Sequence, residues 1–203
     1  MVLRGVARSA IVLPRYILRD LVLSILGEHQ GIARKHAQHV YWVDGPWWFG
    51  KLALAARPRG GDWLAEEVAV WKSAGVGAVL SLLTPEEERE LDLVRMREEE
   101  KKKTEGLGLE FWSLPIEDRQ VPDSDTKFGA ALNLVDTRLS AGGNVLVHCR
   151  QGVGRTGLVA VCLLMKHGRN LSAAMDSAVW PFRKRSSSET GSSDTLLGVF
   201  QIG

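Results

Sequence analysis

The chain has 203 residues, of which 45% are hydrophobic, and this is enough for one globular domain with a buried core. Its formal net charge of +2 gives no global basis for nucleic-acid binding, so no nucleic-acid partner is predicted. Only two cysteines occur, Cys149 and Cys162, which argues against a disulfide-built secreted domain and favours a reducing compartment such as the cytoplasm.

The first forty residues differ from the rest of the chain in charge and hydropathy. Segment 11–26 (IVLPRYILRDLVLSIL) is strongly apolar, but it is too short and too charged to cross a bilayer comfortably. Three interpretations stay open: a helix packed on the domain or on a partner, an interfacial segment that gives residues 1–30 a weak membrane contact, and a targeting peptide or a misassigned start. We therefore predict a helical or targeting extension over residues 1–39 and the functional domain over residues 40–203.

Apolar runs alternate with helical patterns along most of this domain. The predicted strands lie at 40–56 (two strands around a turn at Gly45-Pro46), 76–83, 109–116 and 144–149. The first predicted helix is capped by Asp62 and ends near Ala74, and the second begins at Thr84 and continues into a solvated charge run at 97–103. Three further helices are predicted at 126–141, 157–168 and 171–180. A serine-rich stretch follows at 183–194. Continuous apolar strands are typical of a parallel sheet, so the sequence predicts an α/β fold with a central, mostly parallel sheet flanked by helices.

The stretch HCRQGVGRTG (148–157) lies between a predicted strand and a predicted helix. Backbone N–H groups of such a loop, followed by a helix N-terminus, form a cradle for an oxyanion, and Gly152 and Gly154 allow the loop to curl. Cys149 stands at its mouth as a candidate thiolate nucleophile, Arg155 can hold two phosphate oxygens, and Thr156 can place a hydroxyl near the sulfur. These groups predict covalent phosphoryl transfer without a metal or cofactor, whereas Cys162, within an apolar helix, is predicted to be a core residue.

Such chemistry also needs an acid that protonates the leaving oxygen. The polar loop at 117–125 follows a predicted strand and offers Glu117, Asp118 and Asp123. Asp118 precedes Cys149 by 31 positions, which leaves room for one helix and one strand back to the same sheet edge. Asp123 is the residue expected to cap the helix that follows this loop.

Two segments of the chain, HCRQGVGRTG and LPIEDRQVPD, resemble the signature loop and the general-acid loop of the cysteine-based protein tyrosine and dual-specificity phosphatases. The similarity covers roughly residues 40–182 and is greatest to compact bacterial members and to the cyclin-dependent-kinase-associated phosphatase branch. It implies a phosphatase-type phosphate-binding loop between a strand and a helix. The roles that it implies are Cys149 as nucleophile, Asp118 as general acid and then base, Arg155 as ligand of the phosphate and transition state, Thr156 as an aid to thiolate release, His148 as a support of the loop, and Arg150, Gln151, Gly152, Val153 and Gly154 as donors of backbone amides.

The C-terminal stretch RKRSSSETGSSDT departs from the pattern of these phosphatases. It keeps Glu189 and Thr190, but Ser188 replaces an expected proline and Ser193 stands where a glutamine is expected. The predicted function is hydrolysis of a phosphomonoester, with a protein phosphorylated on tyrosine, serine or threonine as substrate. The alternatives are a phosphatase for phosphoinositides, RNA or another non-protein phosphate, a catalytically inactive phosphate-binding module, and a rhodanese-like sulfur carrier.

Overall fold

A computed structural model describes residues 40–59, 63–90, 106 and 108–186 of the chain. The predicted extension at 1–39, the capping Asp62, the charge run at 97–103 and the atypical serine-rich stretch beyond residue 186 lie outside the described residues. The described elements, in chain order, are β1 Tyr41–Val43, β2 Leu52–Ala56, α1 Trp63–Ser73, β3 Val76–Ser81, α2 Pro85–Glu90, β4 Glu110–Ser113, α3 Asp125–Ser140, β5 Asn144–Cys149, α4 Gly154–Lys166 and α5 Leu171–Ser186.

The strands form one five-stranded sheet in the order β1-β2-β5-β3-β4. β1 runs antiparallel to β2, and all other neighbours are parallel. The mostly parallel sheet predicted from the apolar runs is therefore confirmed. β5 lies at its centre and is buried along almost its whole length, which explains why NVLVHC shows no alternation of apolar and polar residues.

Helices cover both faces of the sheet, so the domain has three layers. α1 packs on one face, where Leu64, Val68 and Trp71 contact alternate residues of β2, β3 and β5. α3, α4 and α5 pack on the other face. Because side chains alternate along β5, Leu146 points to the α1 side, whereas Val147 and Cys149 belong to the core on the α3–α4 side.

Two helices have different limits from those predicted. α4 begins at Gly154 rather than at residue 157, because the end of the signature loop already forms its first turn. α5 extends to Ser186 rather than ending at residue 180. Helix ends depend on local hydrogen bonding that apolar periodicity does not report.

Asp136 joins the β1–β2 turn to the helical layer, at the end of α4 distant from the signature loop. Its carboxylate accepts hydrogen bonds from Trp48 Nε1 at 2.9 Å and Lys166 Nζ at 2.7 Å, and it lies 2.6 Å from His167 Nε2. Burial opposes its charge, yet these three partners hold the pKa of Asp136 below its ordinary value. This network fixes the turn that precedes β2.

Candidate active site

The candidate site lies at the carboxyl edge of the sheet, where parallel strands end side by side. In the register of β2 and β5, Ala56 pairs with Cys149. Residues 150–153 leave β5 and lead directly into α4. The N-terminus of α4 and the backbone of this loop therefore lie at this edge of the sheet, which is where open α/β folds bind anions.

Cys149 is the last residue of β5 and is 2% exposed. The backbone N–H of Gly152 donates to its Sγ at 3.2 Å. This amide anchors the sulfur to the loop. For the second cysteine, Cys162, burial alone raises the pKa of the thiol to about 12 and keeps it protonated. The core position predicted for Cys162 is confirmed.

Gly152 must be glycine for two independent reasons. Its φ of +76° lies in the left-handed region, which side chains with a Cβ rarely adopt. A Cβ at this position would also lie 2.4 Å from the backbone N of Ala56 and 2.6 Å from the carbonyl O of Ala55. The loop thus curls directly against the end of β2. Gly154 differs from the expectation, because it starts α4 and does not have a positive φ.

Arg155 is 2% exposed and lies beneath the loop. Its Nη1 donates to the carbonyl oxygens of Leu82 at 3.2 Å and Ile116 at 2.8 Å, while Nη1 and Nη2 contact the two carboxylate oxygens of Glu87 at 2.5 and 2.7 Å. Its Nε is buried and has no hydrogen-bond partner among the described residues. Burial disfavours the charge, but Glu87, Cys149 and Asp118 together raise the pKa of Arg155. The unsatisfied Nε gives the guanidinium a donor for an oxyanion.

Glu87 is a site residue that the sequence analysis missed. Its carboxylate accepts from the backbone N–H of Thr84 at 3.1 Å, and its own N–H donates to Thr84 Oγ1 at 3.2 Å. This reciprocal capping box starts α2, and the same carboxylate holds Arg155. Burial opposes ionisation, but the bonds from Arg155 and Thr84 leave the pKa of Glu87 below its ordinary value. The Thr-Pro-Glu-Glu sequence indicates the cap, whereas no local pattern indicates the arginine.

Asp118 lies on a turn after β4, and its side chain is 56% exposed. Its Oδ1 is 3.4 Å from Arg155 Nη2, and Arg119, with a φ of 60°, closes the turn beside it. Glu117 and Asp123 are exposed. The cap of α3 is Ser124, which accepts from the N–H of Lys127, so the expectation that Asp123 caps this helix is wrong.

The other residues of the predicted set surround this centre. His148 and Thr156 are completely buried. The carbonyl of His148 accepts from Leu82 N–H at 2.9 Å, and its ring lies 5.9 Å from Trp71. Thr156 Oγ1 has no hydrogen-bond partner within the described part of the chain, so this hydroxyl can still donate.

The loop between β5 and α4 changes in exposure along its length. Arg150 lies at the rim, where its Nη1 contacts Glu90 at 3.2 Å. Gln151 is exposed and Val153 is buried. Within residues 40–59, 63–90, 106 and 108–186, no group of three potential metal ligands occurs and no helix is long and apolar enough to cross a membrane.

Residues 54–169 match the family model described as "Tc-R-P: Polymorphic toxin system, DSP-PTPase phosphatase". Dual specificity protein phosphatase 2 of Mus musculus is 34% identical over 73 residues, 36% of this chain and 23% of the relative. Dual specificity protein phosphatase 1 of Homo sapiens is 33% identical over 60 residues, 30% of this chain and 16% of the relative. The chain thus spans less than a quarter of the length of these curated relatives.

Two solved structures share the fold. Kinase associated phosphatase, with its catalytic cysteine substituted by serine, superimposes with a TM-score of 0.61 at 21% identity, over 72% of this chain and 84% of that one. Tk-PTP in its active form gives a TM-score of 0.53 at 26% identity, over 70% of this chain and 82% of that one. Because the family model covers more than half of the sequence, including the whole loop from Cys149 to Thr156, the chain belongs to the cysteine-based dual-specificity and tyrosine (DSP-PTPase) phosphatase family.

Proposed function

We propose that this domain hydrolyses phosphomonoesters on proteins through a cysteinyl-phosphate intermediate. One observation carries the proposal: three side chains from separate elements converge at the carboxyl edge of the sheet. Cys149 ends β5, Arg155 lies in the first turn of α4, and Asp118 follows β4 with its Oδ1 3.4 Å from Arg155 Nη2. A nucleophile, a phosphate ligand and an acid at one anion-binding loop are the groups that phosphoryl transfer requires.

In the first step, the thiolate of Cys149 attacks phosphorus and forms the S–P bond while the P–O ester bond breaks. Asp118 gives its proton to the departing ester oxygen, so the product leaves as an alcohol or phenol. The backbone amides of residues 150–154 and the Nε of Arg155 bind the non-bridging oxygens, where negative charge is concentrated.

In the second step, a water molecule attacks the phosphorus of the intermediate. The Asp118 carboxylate accepts one proton from this water, the S–P bond breaks, and inorganic phosphate leaves. The electron pair of that bond returns to Cys149 as a thiolate. The unpartnered hydroxyl of Thr156 is suited to donate to this sulfur and so to lower the cost of its release.

A protein substrate is supported by the curated relatives, which are dual specificity protein phosphatases. The centre of the loop, Gln151 to Val153, carries no cation that would bind the additional phosphates of a phosphoinositide ring. We also propose that residues 1–39 are an extension of the catalytic domain. A reducing compartment such as the cytoplasm suits the reaction, because only the reduced sulfur of Cys149 attacks phosphorus.

The test is turnover of p-nitrophenyl phosphate and a phosphotyrosine peptide by the full chain in EDTA, with and without vanadate. We expect vanadate-sensitive turnover that Cys149→Ser abolishes, although this variant still binds the phosphopeptide. Cys162→Ser is the matched control and should keep most of the activity. Retention of activity in Cys149→Ser would refute the role of that thiolate. Binding without turnover by the wild-type chain would indicate an inactive module, and thiosulfate turnover would indicate a sulfur carrier.

A further inference from the structure

Two arginines, Arg57 and Arg150, lie next to each other at the edge of the phosphate-binding loop. Arg57 follows Ala56 and Arg150 follows Cys149, and these preceding residues are paired in the parallel register of β2 and β5. Neighbouring strands lie about 4.8 Å apart, so the two arginines leave the sheet next to each other. The close approach of Gly152 to the backbone of Ala56 shows that the loop rests on this end of β2. Arg57 therefore borders the site although it is distant from the loop in sequence.

The charge of Arg57 is poorly compensated within the described residues. Its Nη1 donates to the carbonyl oxygen of Pro58 at 3.4 Å, which is long for a hydrogen bond. Burial and the nearby charge of Arg150 lower the pKa of Arg57, and the negative charge of Glu67 offsets this lowering only in part. Arg150 itself contacts Glu90 at 3.2 Å, in an exposed pair that contributes little. Two guanidinium groups held together in this way favour an anion between them.

Glu67 is already occupied by a different arginine. Its Oε2 accepts from the backbone N–H of Arg59 at 2.7 Å, and its Oε1 contacts Arg59 Nε at 2.5 Å. The Arg59 guanidinium also lies over the ring of Trp63, 4.4 Å from its centroid. Arg59 is thus satisfied within the chain, whereas Arg57 is available to an external partner.

We infer that Arg57 and Arg150 form a second oxyanion subsite beside the phosphate-binding loop, which holds a carboxylate or a second phosphate of an acidic phosphopeptide. The inference rests on the proposed function, because that function places the scissile phosphate against Cys149. A peptide suits the surroundings, since the half-exposed ring of Trp63 offers apolar surface for a neighbouring side chain.

The experiment measures peptide binding to the full chain carrying Cys149→Ser, so it does not depend on turnover. The probes are labelled phosphotyrosine peptides that carry one glutamate, or one phosphoserine, at one of the positions nearest the phosphotyrosine. Each is compared with a neutral peptide that has glutamine at the same position. At the best position we expect the acidic peptide to bind about tenfold more tightly than the neutral one, and this ratio of dissociation constants should fall as salt is added. Arg57→Gln should bring the ratio close to one.

Arg89→Gln is the matched control, because Arg89 is an exposed arginine that pairs with Glu86, and its loss should leave the ratio unchanged. Equal binding of acidic and neutral peptides, an equal loss in both arginine variants, or failure of every peptide to bind would overturn the inference. An inositol polyphosphate that loses more affinity than the peptides in Arg57→Gln would overturn the choice of a peptide. Turnover of p-nitrophenyl phosphate by the wild-type chain, measured separately, tests the proposed function, so failure of that function and failure of this inference can be told apart.

Discussion

Replacing Glu87 by glutamine tests whether this carboxylate holds the guanidinium of Arg155, the proposed phosphate ligand, in place. In the wild-type chain its two oxygens accept from Arg155 at 2.5 and 2.7 Å, with side-chain exposures of 9% for Glu87 and 2% for Arg155. Glutamine keeps one acceptor and turns an N–H₂ group toward a guanidinium that has only donors. One charge-assisted bond is lost, and a buried positive charge loses its counter-charge.

The free energy of unfolding should fall by about 3 kcal/mol in Glu87→Gln. A hydrogen bond to a charged group contributes about 1.5–3 kcal/mol, and breaking a buried ion pair costs about 3–5 kcal/mol. With an m-value of about 2 kcal/mol/M, the midpoint of urea unfolding should fall by about 1.5 M. The seven tryptophans provide the fluorescence signal. Because Arg155 would also lose its orientation, KM for an aryl phosphate should rise and kcat should fall.

The pH dependence supplies a second readout. The folded-state pKa of Glu87 is lowered, so its contribution is present above its ordinary value of 4.5 and is lost as the pH falls through the lower, folded-state value. The difference in unfolding free energy between wild type and Glu87→Gln should therefore be largest near pH 7 and shrink below about pH 4.5. Glu86→Gln is the matched control, since Glu86 is exposed and pairs with Arg89 on the surface. If both variants lose the same stability, the reasoning is refuted.

Three further predictions concern the loop, the acid and the second thiol. Asp118→Asn should lower kcat by about 10²–10⁴-fold on phenyl phosphate and by less on p-nitrophenyl phosphate, whose leaving group is a weaker base. Glu117→Gln, the control, should lower kcat by less than about tenfold. If steady-state assays show the larger loss for Glu117→Gln, the acid must be reassigned. Gly152→Ala should abolish turnover and phosphate binding, because the new Cβ meets the backbone of β2. Gly129→Ala is the control: its Cβ would have open space, so this variant should keep its activity and unfold at a higher temperature. An active Gly152→Ala variant would contradict the close approach of the loop to β2. Cys162 should resist iodoacetate at pH 8, because a thiol with a pKa of about 12 is ionised there to about one part in ten thousand. Mass spectrometry should therefore find Cys162 labelled only after denaturation. Rapid labelling of Cys162 in the native protein would show that it is not buried.

The sequence predicted the elements whose signal is local. The apolar run of β5 and the strand–loop–helix order around Cys149 required no knowledge of distant residues, and the structure agrees with both. For Glu87, the local pattern indicates only the start of a helix, because its partner Arg155 lies 68 positions away and meets it only when α2 packs at the sheet edge. The same limit applies to Asp136, whose bond to Trp48 spans 88 positions.

Local signals also failed where two neighbouring residues offered the same chemistry. Asp123 and Ser124 are both good helix caps, and only the backbone geometry of the loop selects Ser124. Likewise, Gly152 and Gly154 are equivalent in composition, but only Gly152 adopts a positive φ and approaches β2. Sequence composition indicates which residues can serve, whereas the path of the backbone decides which one does.

The burial of Cys162 has a consequence for oxidative inactivation. Cys162 lies eight residues after Gly154, about 12 Å along the axis of α4 from the end of the helix that adjoins the loop, whereas the Cα atoms of a disulfide lie within about 7 Å of each other. These are the two cysteines of the chain, so a sulfenic acid formed on Cys149 by peroxide would find no resolving thiol within it. Its recovery would depend on an external thiol such as glutathione. Unless such a thiol or a backbone nitrogen captured the sulfenic acid, a second equivalent of peroxide would oxidise it to the irreversible sulfinic acid.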